Sequence, residues 1–290
     1  MPDLLREPSD LDRPHRIGIV VNGLLAVLKL VGGGLSGSPS LLADGYHSLA
    51  DLATGAAAWV SARFARRPPD EDHHYGHGKV EVLASLGVGL VLVLTGLEVL
   101  RGALEGEAPD YAAGDLVVAV GAALVSLFAN EWLVRITQRA AREQNSAVLR
   151  ALARDNRSDS LTSFLVLMGL ALGFLGVGWA ESIATALIGC LIMAMGGRSL
   201  VEGYHVLSDR VPDRDLRSRI RSHAEGVPGV VGVQSIRVHP LGGEVRVDME
   251  ISVDGDLSVR KGHAIAHGVE SEVTRREPEV VQVDVHVNPA

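Results

Sequence analysis

The sequence predicts a six-helix membrane domain followed by a small soluble domain of the α+β class. Residues 16–206 are rich in Gly, Ala, Leu and Val and contain long apolar runs, whereas residues 211–290 have the composition of a soluble domain. Residues 161–180 form a run of 20 without a charge, a length that crosses a hydrocarbon core of about 30 Å. We expect an N-terminal segment over 1–15, the membrane domain over 16–207 and the C-terminal domain over 208–290.

Six apolar stretches account for the membrane domain. Residues 82–97 and 182–197 are free of charge, whereas the second stretch is apolar but interrupted by ionisable residues. Prolines fall at the ends of stretches, in loops or in the soluble part, as expected because helices in lipid must satisfy their own backbone groups. The predicted spans are 16–37, 40–64, 80–103, 113–137, 147–178 and 181–204.

The distribution of Lys and Arg predicts how the helices are oriented. These residues are concentrated in the N-terminal segment, in the second and fourth loops and at the start of the C-terminal domain. The first loop and the fifth, around Trp179 and Glu181, have none, and the third has Arg101 beside three acidic residues. By the positive-inside rule, both termini lie in the cytoplasm, and six spans satisfy this. The polar first residues indicate that the first span, rather than a cleavable signal peptide, directs insertion.

Two further properties exclude other classes of protein. The net charge of −8 argues against a nucleic-acid partner. Cys190, the single cysteine, lies in the last predicted span, so no disulfide can form within one chain.

The C-terminal domain reads as an α-β-β-α-β order. Apolar and polar residues alternate over 245–253 and again over 281–287, which is typical of half-buried strands. Gly242-Gly243 predicts a hairpin turn before the first of these strands. The other predicted elements are helices over 216–224 and 258–276 and a strand over 230–238, which gives helices on one face of a three-stranded sheet. A domain of about 80 residues has a marginal core, so contact with a partner is expected.

Ionisable residues inside predicted spans are the main functional signal, because they are expensive in a membrane. His47 and Asp51 in the second span are four residues apart and so share one helical face, and Asp155 and Asp159 repeat this spacing in the fifth. Two helices that each offer two ligands can form a four-ligand cage of one imidazole and three carboxylates, which suits a divalent ion. The alternative is that these residues are merely solvated at the water interface, which fits Asp155 best because it lies near a span start.

The second loop is a second tract rich in metal ligands. Residues 70–77 contain three acids and three histidines, among them Asp70, His73 and His77. Such a cluster indicates either a bound ion or a solvated loop.

Together these motifs resemble the cation diffusion facilitator family of proton-coupled metal exporters. The matching residues run along nearly the whole chain: Leu41-Leu42-Ala43-Asp44, His47-Ser48 and Asp51 in the second span, His73, Tyr75-Gly76-His77-Gly78-Lys79 and Glu81 in the loop, and Arg157-Ser158-Asp159 in the fifth span. The α-β-β-α-β tail is similar to the metallochaperone-like cytoplasmic domain of the family.

The resemblance implies roles for particular residues. His47, Asp51, Asp155 and Asp159 correspond to the transport site. Asp44 matches a frequent acid of the family, and its position three residues before His47 suggests a hydrogen-bond partner of a ligand. The remaining correspondences are Asp70, His73 and His77 to a loop metal site, Asp248, His263 and His286 to a regulatory metal site in the cytoplasmic domain, and Lys79 and Asp209 to a charge interlock between the subunits of a homodimer.

The function that the resemblance implies is efflux of divalent cations from the cytoplasm, by alternating access in a homodimer and in exchange for protons. The setting is a bilayer, a cell membrane of bacterial type, with metal ions as substrate and regulator and no prosthetic group. Asp155 stands where zinc-selective relatives usually have His, so Mn²⁺ or Fe²⁺ is favoured and Zn²⁺ is secondary. The alternatives are a zinc-selective exporter and a non-transporting metal sensor or scaffold of the same fold. An intramembrane metalloprotease is disfavoured because the chain has no His-Glu-x-x-His motif, and we expect no enzyme activity.

Overall fold

The structure, a computed structural model, describes residues 9–65, 67–106, 111–143, 147–211, 213, 215–242 and 244–290. Six long helices come first: α1 Ser9–Ser36, α2 Pro39–Ala65, α3 Lys79–Glu105, α4 Ala113–Glu143, α5 Ala147–Phe174 and α6 Ala180–Leu207. The remaining elements are α7 Leu216–Glu225, β1 Gly232–Pro240, β2 Val245–Val253, α8 Val259–Arg276 and β3 Val280–Pro289. The predicted fold class, six helices followed by an α-β-β-α-β domain, is confirmed.

The predicted spans differ from the helices mainly at their ends. The fifth ends at Phe174 rather than at 178, because Gly176 adopts a left-handed conformation with φ of 90° and the amide of Val177 returns to the carbonyl of Leu172 at 2.9 Å. The run 161–180, expected to be one span, therefore includes a turn. Helix α4 continues to Glu143, where an ion pair of 2.8 Å to Arg139 one turn earlier supports its polar end.

Four of the described helices are long and apolar enough to cross a membrane: Ile17–Ser36 within α1, and α3, α4 and α6. Helices α2 and α5 have similar lengths, but ionisable residues lie within them and lower their hydropathy. These are the two helices that carry the predicted transport site, so the departure from an apolar composition coincides with the functional residues.

The chain divides into two compact units, Met1–Ala56 with Val88–Arg198 and Ala57–Gly87 with Ser199–Ala290. Within the first unit, α3 and α6 approach closely through glycines. A Cβ added at Gly96 would lie 2.7 Å from the carbonyl oxygen of Gly189, and one at Gly196 would lie 2.6 Å from that of Gly89. Small residues at such crossings let helices pack backbone to backbone, which is how helices associate in lipid.

Within the second unit, the C-terminal domain is built on a sheet with strand order β1-β2-β3. Strand β1 pairs antiparallel with β2, and β3 pairs parallel with β2 after the crossover helix α8. Apolar side chains from both helices and all three strands form one buried core, including Leu216, Ile220, Met249, Ile251 and Val269. The predicted order is confirmed, although β1 begins at Gly232 rather than at 230. Gly242 has φ of 101°, as the predicted turn requires, and Gly243 lies outside the described residues.

Candidate metal centre

The structure brings three of the four predicted transport-site residues together between α2 and α5. His47 Nε2 lies 3.9 Å from an oxygen of Asp51 on the same helix and 3.5 Å from an oxygen of Asp159 on α5. The side chains of His47 and Asp159 are 4% and 12% exposed, and that of Asp51 is 38% exposed. One ligand atom from each residue lies within 4.8 Å of the other two. The i, i+4 spacing on α2 and the packing of α5 against it therefore point three donor atoms at one place.

The spacing of these donors suits a first-row divalent cation. Neighbouring ligand atoms bound at about 2.0–2.2 Å in tetrahedral or octahedral arrangements lie about 2.8–3.6 Å apart. The 3.5 Å separation between His47 and Asp159 already falls in that range, and the 3.9 Å separation between His47 and Asp51 needs only a slight contraction. One nitrogen and two carboxylate oxygens form a set that first-row metals from Mn²⁺ to Zn²⁺ accept.

Asp155, the fourth predicted ligand, lies outside this three-residue group. It is one turn before Asp159 on α5, and its side chain is exposed. It remains close enough to interact electrostatically with Asp51 and Asp159. Its role as a ligand stays a prediction that requires its side chain to move toward the other three.

A fully buried ion pair next to this group was missed by the sequence analysis. Lys29 on α1 and Asp44 on α2 both have no exposed side-chain area, and their nitrogen and oxygen lie 3.0 Å apart. Asp44 also accepts hydrogen bonds of 2.9 Å from the hydroxyls of Thr162 and Ser163 on α5, and Lys29 donates one of 2.9 Å to Ser48. Asp44, interpreted from the sequence as a partner of a metal ligand, is therefore a partner of Lys29. A lysine inside an apolar span was the signal that could have revealed it.

The approach of α1 to α2 depends on Gly45, the residue after Asp44. A Cβ at this position would lie 3.0 Å from the backbone nitrogen of Leu30. Any larger residue would push the helices apart at the level of the ion pair. The network therefore joins α1, α2 and α5 close to the metal donors. On α2, Asp44 lies three residues before His47, and on α5, Thr162 lies three residues after Asp159.

A second buried carboxylate lies in the first turn of α6. Glu181 is 2% exposed and accepts hydrogen bonds from Ser38 at 2.5 Å, Ser40 at 2.8 Å and Tyr111 at 2.5 Å. Glu181 was predicted at the boundary between the fifth loop and the span 181–204, and α6 begins one residue earlier, at Ala180. The residue is inside the protein, where its carboxylate joins the start of α2, the start of α6 and the residue just before α4.

The loop residues Asp70, His73 and His77 also come together. Asp70 lies 3.1 Å from His73 Nδ1 and 3.3 Å from His77 Nε2, and the two imidazole rings are 4.4 Å apart. The backbone amides of His73 and Asp72 donate to Asp70, and with the His73 ring they hold the pKa of that carboxyl below its usual range. The loop is thus folded around an ionised carboxylate, and one donor atom from each of the three residues lies within 4.8 Å of the others.

The three predicted ligands of the C-terminal domain share a groove without converging. Asp248, His263 and His286 line a cavity of about 380 Å³ with Glu270 and Asp284. Among the described residues, the groups with three donors within 4.8 Å are the two above. Arg246 contributes to this separation, because its guanidinium forms ion pairs with Asp248 at 3.4 Å and Asp284 at 2.6 Å and so engages both carboxylates.

The two residues of the predicted subunit interlock are separate within one chain. Lys79 is the first residue of α3. Asp209 follows α6 in a left-handed conformation with φ of 57° and pairs with His239 at 2.8 Å. Their role between subunits stays a prediction.

Apolar helices long enough to cross a membrane, and a set of metal donors between two further helices with two of its three members shielded, define a membrane protein built to handle divalent cations. The comparisons with known proteins agree with this class. The family model described as the cation efflux transmembrane domain matches residues 16–208, and the one described as the cation efflux protein, cytoplasmic domain matches 212–290. The chain belongs to the cation diffusion facilitator family and is a divalent-metal efflux transporter.

Similar proteins extend over the whole chain. The manganese efflux system proteins MneP and MneS of Bacillus subtilis are 30% and 31% identical to it, and each alignment covers 94% of this chain and at least 93% of the relative. A solved structure of the MamM C-terminal domain is 29% identical, with a TM-score of 0.26, and covers 26% of this chain and 92% of that chain.

Proposed function

We propose that the protein exports Mn²⁺, and secondarily Fe²⁺ and Zn²⁺, from the cytoplasm in exchange for protons. The observation that carries this proposal is the convergence of His47, Asp51 and Asp159 between α2 and α5. The three donors are close to the spacing of a bound ion, and two of them are shielded from solvent. A metal held there is within a membrane domain, as transport requires.

The proposed cycle is alternating access. Asp51, which is 38% exposed, is the donor that an ion entering from water meets first. His47 and Asp159 then complete the site, and Asp155 turns inward to become the fourth ligand. The Lys29–Asp44 network holds α2 and α5 in register, so the donors move together when the helices rock.

Protons are the proposed counter-substrate because they compete for the same donor atoms. His47 must be neutral and both carboxylates ionised before a metal binds, so loading releases protons and proton binding expels metal. An imidazole with an ordinary pKa of about 6.5 changes charge within the physiological range. A gradient of protons directed inward therefore favours release of metal outward.

The choice of Mn²⁺ is supported by the donor set and by the relatives. Carboxylate-rich sites suit hard cations, whereas zinc favours nitrogen and sulfur. Two relatives along nearly the full length of the chain carry the name manganese efflux system protein. Affinity alone still favours zinc over manganese at most sites, so selectivity must come from geometry and from the metals available.

The remaining assignments complete the proposal. The protein acts as a homodimer with both termini in the cytoplasm and with domain boundaries at 15/16 and 207/208. Asp70, His73 and His77 bind a metal in the loop, and Asp248, His263 and His286 bind regulatory metal in the C-terminal domain. Lys79 and Asp209 hold the subunits together. The matching cytoplasmic-domain model and the groove that the C-terminal residues share support these roles.

The experiment is metal uptake into proteoliposomes that contain only this protein and a fluorescent metal reporter. We expect Mn²⁺ flux that rises with a proton gradient of the correct sign and that Asp51→Ala removes. The matched control is Glu98→Gln, which removes an exposed carboxylate of α3 outside the site. Normal flux in Asp51→Ala, or no flux in a folded wild-type protein, would contradict the proposal, and the latter would favour a metal sensor. Zinc flux far above manganese flux would indicate a zinc exporter.

A further inference from the structure

Helix α8 carries a pair of histidines, and the roles assigned so far include His263 but leave His267 unexplained. His263 and His267 are one turn apart, and both are exposed. Their Nε2 atoms face each other at 3.1 Å, and the rings meet edge to face with centroids 4.3 Å apart. The spacing His-x-x-x-His was visible in the sequence, and the structure shows that both rings turn the same atom toward a common point.

A carboxylate fixes the orientation and tautomer of one of these rings. Glu270, three residues after His267, lies 2.7 Å from its Nδ1. The ring donates a hydrogen bond from Nδ1–H to the carboxylate, so Nε2 of neutral His267 carries a lone pair. A carboxylate that holds Nδ1–H of a histidine whose Nε2 binds metal is a recurrent arrangement, because it orients the ring and raises its basicity.

The distance between the two nitrogens matches a shared metal ion. Two imidazole nitrogens at about 2.0–2.1 Å from an ion lie about 2.9 Å apart at a right angle and about 3.4 Å apart at a tetrahedral angle. The observed 3.1 Å falls between these values. The alternative reading, a hydrogen bond from His263 Nε2–H to His267, uses the same distance and requires no ion.

We propose that His263 and His267 form a bidentate metal site on α8, with Glu270 as the residue that positions His267. The open positions on the ion are filled by water. A site with two nitrogen donors takes Cu²⁺, Ni²⁺ and Zn²⁺ much more tightly than Mn²⁺, since affinities rise along that series and imidazole suits the later metals. The carboxylate of Glu270 beside His267 adds a favourable field for a cation.

The proposal implies that the C-terminal domain responds to a metal other than the preferred cargo. It replaces His286 by His267 as the partner of His263 for this class of ion. It also stands apart from the transport proposal, because the site lies in the soluble domain and its occupancy is measured without transport.

The test is equilibrium binding of Zn²⁺ and Mn²⁺ to the full chain in detergent, purified without a histidine tag. A background of Asp51→Ala, Asp159→Ala and His73→Ala removes ligands of the other two clusters. In this background we expect His267→Ala to weaken the binding of Zn²⁺ about 100-fold and Glu270→Gln to weaken it about 10-fold. His223→Ala is the matched control, because it removes an imidazole of the same domain that pairs with Glu277, and it should change the affinity less than about twofold.

Each outcome decides the proposal. Loss of Zn²⁺ binding in His286→Ala but not in His267→Ala would overturn it in favour of the groove residues. Equal affinities for Zn²⁺ and Mn²⁺ at this site would overturn the predicted class of ion. Electron paramagnetic resonance of bound Cu²⁺ counts the coordinated imidazole nitrogens independently. We expect two in the background protein and one after His267→Ala. An unchanged spectrum in that variant would show that the contact is only a hydrogen bond.

Discussion

The buried pair of Lys29 and Asp44 gives the sharpest test of how this membrane domain is held together. We consider Asp44→Asn, which removes the charge. It keeps an acceptor oxygen for only one of the two hydroxyls, because Thr162 and Ser163 donate to different oxygens of Asp44. Lys29 is then left without its carboxylate at a position with no exposed side-chain area, with Ser48 as its remaining partner at 2.9 Å. An unpaired ammonium in such a place is strongly unfavourable.

The expected magnitude follows from that burial. Removing one member of a buried ion pair typically lowers the free energy of unfolding by about 3–5 kcal/mol, because the other charge stays desolvated. The loss of stability in Lys29→Met should lie near the lower end of this range, because two hydroxyls still donate hydrogen bonds to Asp44. The double variant Lys29→Met/Asp44→Asn removes both charges and should lose much less than the sum of the two single variants.

The assay is equilibrium unfolding in mixed micelles, with a denaturing detergent as titrant and circular dichroism as the signal. The four proteins of the double-mutant cycle are compared under identical conditions. The pair Arg101 and Glu105 on α3, 3.2 Å apart but 62% and 67% exposed, is the control cycle and should show little coupling. If the Lys29 and Asp44 effects simply add, or if Asp44→Asn is as stable as wild type, the pair does not hold the helices as argued.

Three further predictions concern metal choice, pH and topology. Asp155→His should raise the ratio of zinc to manganese flux in proteoliposomes, because it adds a nitrogen donor and removes a hard oxygen; an unchanged ratio would show that this side chain does not reach the ion. Hydrogen bonds from Arg219 hold the pKa of Glu277 in the folded protein below its usual range. Their contribution to stability is therefore present above the ordinary carboxyl pKa of about 4.3, and it is lost as the pH falls through the lower pKa of the folded state. Thermal unfolding of wild type and Arg219→Leu should therefore differ most near neutral pH and converge in acid, and a constant difference would contradict this. Finally, in a Cys190→Ala background, thiols at Glu105 and Arg142, both exposed, should be labelled from outside and from the cytoplasm respectively, and labelling of both from one side would refute the six-span topology.

Local patterns in the sequence were sufficient for the architecture. The lengths of the apolar runs predicted six helices, and the alternation of apolar residues over 245–253 and 281–287 predicted two of the three strands. These signals are local because a membrane span is set by the length of the hydrocarbon core and a strand by the period of its side chains. The pairing of His47 with Asp51 was also predictable, since a helix brings residues four apart onto one face.

Contacts between helices were decided only by the tertiary structure. Asp159 joins His47 while Asp155, one turn away on the same helix, stays outside the group, and Lys29 of α1 reaches Asp44 because Gly45 lets two backbones approach. Each depends on the rotation and separation of whole helices, which residue spacing within one helix does not encode. The end of α5 at Phe174 and the burial of Glu181 likewise follow from a left-handed glycine and from three hydroxyls brought from elsewhere in the chain. The sequence by itself determined which residues are costly to place in a membrane, and the packing of the helices determined which of them meet.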